Sequence, residues 1–208
     1  MQRSYYLSFI KEHFQHNNQM LFLVGPRQVG KTTIAKLYAK ESLEHVYLNC
    51  DIAKDRIMIL EGQDFIEKIL PFNTLGQTKP LVIFDEIHKF KDWKNYLKGF
   101  YDLYKDKYHI LVTGSARLDI HISGGDSLMG RYFILNIHPI SVHETIANFE
   151  ASNLETLKPI KPDSNIIDRL YKFGGFPDPF LKCNEQFTNK WHNLRDRQLL
   201  YEDIQNLE

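Results

Sequence analysis

Eight residues of this 208-residue chain, Gly25-Pro26-Arg27-Gln28-Val29-Gly30-Lys31-Thr32, restrict its fold more than any other stretch. They match G-x-x-x-x-G-K-[ST] in full, directly after the apolar run at residues 20–24 and directly before a helical pattern at 31–41. The glycines let the backbone wrap closely enough for successive N–H groups to face an anion, and the helix that follows adds its positive end. Phosphate binding follows from that geometry. Lys31 is spaced to reach β- and γ-phosphates and the Thr32 hydroxyl to ligate Mg²⁺, while Thr33 extends the helix. Gly25, Pro26, Arg27, Gln28, Val29, Gly30, Lys31, Thr32 and Thr33 are thus candidate nucleotide-binding positions, the Arg27 side chain being expected to turn away from phosphates that the backbone already contacts.

The rest of the chain supplies the frame such a loop needs. Further apolar runs at residues 45–49, 80–84, 108–113 and 132–137 are continuous or nearly so, the mark of strands buried on both faces. Helical segments alternate with them at 31–41, in parts of 55–70 and at 92–104, which implies a parallel sheet. An amphipathic helix carrying Tyr6, Leu7, Ile10 and Phe14 opens the chain. Trp93, Leu97, Phe100 and Tyr104 form a core-facing stripe, with Lys91, Lys94, Lys98 and Lys105 on a solvated face opposite. Residues 118–130, with Gly124-Gly125, read as a loop at the ligand-bearing edge. Beyond Pro139 the strand signal stops, and helices are predicted at 141–149, 166–173 and from 189 to the end, the first two separated by a Pro-containing loop at 151–164. The last helix runs to Glu208 without a Gly or Pro stop, so the chain reads as cut from something longer.

Residues 81–86, Leu-Val-Ile-Phe-Asp-Glu, place two carboxylates at the carboxyl end of a buried strand, where ligands sit in open α/β sheets. Asp85 is positioned to hold Mg²⁺, and Glu86 to polarise an attacking water. With both motifs present, the chain resembles the additional-strand P-loop ATPases that include the AAA+ superfamily. That resemblance implies an α/β, three-layer P-loop NTPase fold with a parallel five-stranded sheet of order 5-1-4-3-2, then a small helical lid. The core would occupy residues 1–138, and residues 139–208 would be the lid and the start of a further region. It also implies ATP and Mg²⁺ as ligands, and ATP hydrolysis coupled to conformational change. More narrowly, residues 25–33, Asp85-Glu86-Ile87-His88-Lys89 with Trp93 after it, Thr113-Gly114-Ser115, Gly130-Arg131 and Gly174-Gly175-Phe176-Pro177 are similar to a bacterial and archaeal AAA family. Its members usually carry a second domain of unknown function, through which a nucleic-acid or protein partner would be engaged. A homo-oligomer is a further expectation.

On the same resemblance, Ser115 or Thr113 is the polar sensor of the γ-phosphate, with Ser115 preferred because it stands just past the strand. Arg131 is the candidate to stabilise transition-state charge in its own or a neighbouring subunit, and Arg117 a weaker one. Asp178 follows the Gly-Gly-Phe-Pro turn where related lids carry a sensor arginine, which leaves Arg169 as a substitute and raises the alternative of a nucleotide-gated switch with little turnover. A small-molecule phosphotransferase is disfavoured, since Asp85-Glu86 suits activated water better than an acceptor hydroxyl. Composition adds exclusions. Lys+Arg 26 against Asp+Glu 26 lacks the overall basicity of a nucleic-acid binder. The two cysteines form neither a disulfide framework nor a zinc spacing, and no apolar run approaches the roughly 18 residues of a membrane span, so a cytoplasmic protein is expected.

Overall fold

The apolar runs become five parallel strands. The structure, a computed structural model, describes residues 3–42, 44–61, 63–71, 79–115, 128–145 and 163–199. In chain order these form α1 (Ser4–His16), β1 (Met20–Gly25), α2 (Lys31–Glu41), β2 (His45–Asn49), α3 (Ala53–Leu60), α4 (Gln63–Ile69), β3 (Leu81–Asp85), α5 (Trp93–Tyr104), β4 (His109–Ser115), β5 (Tyr132–Asn136), α6 (Val142–Thr145), α7 (Ser164–Phe173), α8 (Pro177–Lys182) and α9 (Glu185–Gln198). Arg3–His138 make one compact unit, and Pro139–Glu208 with Met1–Gln2 make another.

In the first unit the strand order is β2-β3-β4-β1-β5, with every neighbouring pair parallel. Counted from the other edge this is 5-1-4-3-2, the order the resemblance implies. Strand alternation sends Met20, Phe22, Val82, Phe84, Ile110 and Val112 to one face, where they pack with Ile59, Ile66, Leu97, Phe100 and Tyr104 of α3, α4 and α5. Leu21, Leu23, Ile83 and Leu111, equally buried, point to the other face. There α2 packs against β1, β3 and β4, and α1 packs against α2. Three layers result. The α5 stripe is core: the Phe84 ring meets Phe100 at 5.3 Å and Tyr96 at 5.7 Å, both edge-on. Each such pair contributes about 0.5–1.5 kcal/mol beyond buried area, and together they anchor the strand that ends in the acidic pair.

The second unit contains the helices α6 to α9. Its last helix begins at Glu185 rather than 189, because Asn184 caps it by accepting from the Phe187 amide at 2.9 Å. The polar first turn carries no apolar periodicity, so only the cap marks the start. Gly175 is required by crowding, since a Cβ there would lie 2.5 Å from the Ile140 carbonyl oxygen. Most of the expected 118–130 loop, the later part of the expected 141–149 helix and the 151–162 stretch lie outside the described residues. No described helix is long and apolar enough to cross a membrane.

Two stability effects follow. Gly25 has φ 154°, and a Cβ would sit 2.3 Å from the Ile137 carbonyl oxygen, whereas Gly130 at φ 74° has nothing within 4 Å. Gly25→Ala is expected to cost about 2 kcal/mol or more and Gly130→Ala about 1 kcal/mol, measured by urea unfolding. Burial first, then Lys79 and His13, holds the His109 imidazole at about 4, well below its ordinary value. The unfolded chain therefore binds this proton first as pH falls, so the His109 contribution is intact above roughly pH 6.5 and is lost progressively toward pH 4. His109→Gln should flatten that part of the stability–pH curve by on the order of 1–3 kcal/mol.

Candidate nucleotide site

The glycine-rich loop turns between β1 and α2. Gly30 is the residue before α2, at φ 101° and ψ 18°, a left-handed conformation that glycine adopts without penalty. Val29 is fully buried, while Arg27 and Gln28 are exposed. Three non-glycine residues among those described have positive φ, and two of them, Gln28 (63°) and Glu86 (56°), belong to the loop and the acidic pair. Such strain persists where surrounding structure enforces it, and it gathers at functional sites.

Lys31 is 5% exposed. Its ammonium donates to the carbonyl oxygens of Gly25 and Pro26, each at 2.9 Å. Burial lowers its pKa, an effect opposed by the nearby Glu86 and Asp85 carboxylates. The ammonium is thus held across the mouth of the loop by carbonyls that an anion can outcompete, because a charged acceptor binds it more strongly than a neutral one.

Fifty-three positions separate Thr32 from Asp85, yet the Thr32 hydroxyl donates to both Asp85 carboxylate oxygens, at 3.1 and 3.0 Å. Asp85 is 1% exposed. It also accepts hydrogen bonds from the hydroxyls of Tyr47 on β2 and Thr113 on β4. The strand register explains the convergence: Asn49 pairs with Asp85, which puts Tyr47 on the same face two residues earlier, and Thr113 lies one position past the Phe84–Val112 pair. Thr113 further accepts from the Glu86 amide at 3.2 Å. Glu86 is half-buried, and burial, tempered by Lys31, raises its pKa above the ordinary glutamate value. His88 approaches the Glu86 carboxylate at 3.5 Å as a neutral ring, its pKa lowered by burial and by Lys89.

The sequence-derived candidates divide accordingly. Residues 25–33 with Asp85 and Glu86 come together at the carboxyl ends of β1 and β3. The Thr113 hydroxyl is seen at the carboxylates; Ser115 ends β4 opposite Gly25, and its side chain lies outside the described residues. Arg131 is not brought to the loop. The Met20 amide donates to its carbonyl at 2.9 Å, so it stands at the amino end of the sheet, roughly 20 Å from Gly25 by the rise of six strand residues. There its guanidinium forms a two-pronged pair with Asp102, at 2.8 and 3.1 Å. Of the two expected alternatives, its own or a neighbouring subunit, this placement leaves Arg131 far from its own loop. Arg169 donates to the Phe180 and Leu181 carbonyls at 2.7 and 3.2 Å, closing the end of α8. Arg117 lies outside the described residues.

The oxygen donors at Thr32 and Asp85 suit Mg²⁺, which takes one or two protein oxygens and fills its shell with water and phosphate. A family model described as AAA domain matches residues 17–146. The chain belongs to this AAA domain family. Two uncharacterized proteins, from Mycobacterium bovis and Mycobacterium tuberculosis, are each 23% identical over 178 residues, covering 86% of this chain and 34% of their own length. The AAA chain thus spans about a third of the curated relatives it matches. Among solved structures it is similar to the Walker-type ATPase of Pyrococcus abyssi (TM-score 0.55, 16% identity, 97% of this chain and 74% of that one). It is also similar to AMPPCP-bound DnaA from Aquifex aeolicus (TM-score 0.53, 15% identity, 94% and 66%). At such identities the likeness is one of fold, that of AAA+ P-loop proteins.

Tyr47 and Thr113 carry a consequence for the AAA core. Tyr47→Phe deletes one of three hydroxyls from a buried carboxylate and should reduce unfolding free energy by about 1–2 kcal/mol in urea titrations, without altering the far-ultraviolet circular dichroism spectrum. An unchanged midpoint would show that the hydroxyl does not support Asp85.

Proposed function

We propose that this AAA domain binds ATP with Mg²⁺ and hydrolyses it, and that nucleotide occupancy moves the helical region, residues 139–208, over the loop as a lid. The observation that carries this reading is the Thr32–Asp85 contact, which unites the glycine-rich loop with the acidic strand end. Lys31, released from the Gly25 and Pro26 carbonyls, would bind the β- and γ-phosphate oxygens, and the amides of residues 25–33 would surround the same charge. Thr32 and Asp85 would hold Mg²⁺. When bound, that ion neutralises charge developing on the phosphate oxygens. Glu86 would take up a proton from the attacking water, and its raised pKa places it nearer the working range of a general base than an ordinary glutamate. Thr113 would hold the Glu86 backbone and the Asp85 carboxylate in register. Ser115 remains a candidate for contact with the γ-phosphate, and Arg131 would act only on the nucleotide of a neighbouring copy in a homo-oligomer. A cytoplasmic setting and a nucleic-acid or protein partner engaged through further sequence complete the reading.

The test pairs two variants. Lys31→Ala should lose measurable ATP affinity, whereas Glu86→Gln should keep it and release phosphate about 10²–10⁴-fold more slowly than wild type. A second reading, a nucleotide-gated switch that seldom turns over, is favoured by Asp178 in the first turn of α8, where a sensor arginine is expected, and by the engagement of Arg169 with α8 carbonyls. Equal phosphate release by wild type and Glu86→Gln, with ATP affinity intact in both, would select the switch.

A further inference from the structure

Arg3 reaches the loop from 26 positions away. It lies just before α1, its side chain is 7% exposed, and its guanidinium is shared between two backbone carbonyls. Nη1 donates to Val29 O at 2.8 Å, and Nη2 donates to His138 O at 2.6 Å. The Tyr6 ring lies 4.5 Å from the guanidinium carbon, and the Tyr6 hydroxyl accepts from the His138 amide at 3.1 Å. One planar cation thus ties the glycine-rich loop to the segment just after β5.

Peptide geometry gives this contact a chemical meaning. In a planar trans peptide the carbonyl of one residue and the N–H of the next point in opposite directions. With the Val29 carbonyl drawn to Arg3, the Gly30 N–H must face the other way. Gly30, at φ 101°, is also where this peptide can rotate at least cost, because glycine populates both signs of φ. If the peptide flipped, the loop would present a carbonyl oxygen where an anion needs a donor. A fork of two parallel N–H groups suits the task better than a lysine, whose ammonium is a point charge without fixed geometry.

We propose that Arg3 is a positioning residue for the phosphate cradle: it fixes the Val29–Gly30 peptide so that the Gly30 N–H is presented to a phosphate oxygen, and it braces that peptide against the His138 carbonyl. The proposal rests on the nucleotide reading above. It differs from a merely structural role in acting on phosphate affinity.

The experiment measures binding of Mg²⁺ with a non-hydrolysable ATP analogue to the full chain, for wild type, Lys31→Ala, Arg3→Ala and Arg3→Lys, alongside each protein's nucleotide-free melting temperature. Arg3→Ala and Arg3→Lys are expected to bind about 10- to 100-fold more weakly, as for the loss of one hydrogen bond to a charged group. Guanidinium ion at millimolar concentration, far below denaturing levels, should restore much of the affinity of Arg3→Ala but none of that of Lys31→Ala. If Arg3→Ala does not fold, Arg3→Lys decides by its affinity. Wild-type affinity in the Arg3 variants while Lys31→Ala loses binding would overturn the proposal. So would weakening that follows the fall in melting temperature and does not respond to guanidinium. No binding by wild type itself would sink the nucleotide reading, and this inference with it.

Discussion

A buried carboxylate must be matched by donors, and in this protein the matching joins four separate pieces of chain. Asp85 receives hydroxyls from Thr32 at the start of α2, Tyr47 on β2 and Thr113 on β4. Left unpaired at 1% exposure, its charge would cost several kcal/mol, so the contacts oblige the glycine-rich loop, the acidic strand and both neighbouring strands to keep one arrangement. The same hydroxyls pre-orient the two oxygens on which the proposed Mg²⁺ chemistry depends. Fold and site therefore share one constraint, and substitutions that relax it act on both.

Around that carboxylate, conformational cost is concentrated where ligand contact is proposed. Gln28 and Glu86 adopt left-handed backbone conformations that non-glycine residues avoid, and Gly25 is pressed against the Ile137 carbonyl too closely for any side chain. Such features are retained when rigid surroundings hold them. The surroundings here are the doubly covered sheet and the aromatic packing of Phe84, Tyr96 and Phe100 beneath the acidic strand. Lys31, clasped by two carbonyls, is stored in a position from which a phosphate can recruit it.

Much of this was legible from the residues. Continuous apolar runs marked each strand to within about a residue or two; in the interior strands β1 and β3 burial on both faces leaves no polar alternation, whereas the edge strands β2 and β5 kept the apolar run although each buries only its Leu48 or Leu135 position fully. Strand order was carried by the family resemblance, since periodicity cannot say which strands are neighbours. The loop and acidic pair announced themselves because their spacing is local. Tyr47 did not: it looks like an ordinary β-forming residue, and its role depends on the register of β2 against β3. Arg3 was equally silent, a single cation ahead of a helix whose partners lie 26 and 135 positions away. Arg131 shows the converse, a suggestive Gly-Arg pair that the parallel direction of β5 carries to the end of the sheet opposite the chain's own loop. The start of α9 escaped periodicity because a cap, not an apolar stripe, sets it.

The most direct test is a crystal structure grown with a non-hydrolysable ATP analogue and Mn²⁺ in place of Mg²⁺, with the metal located by its anomalous scattering. The account expects one strong peak beside the Thr32 hydroxyl and the Asp85 carboxylate, in contact with the terminal phosphates, and the Lys31 ammonium moved off the Gly25 and Pro26 carbonyls onto them. A metal peak elsewhere, or a nucleotide whose phosphates leave Lys31 on its carbonyls, would contradict it.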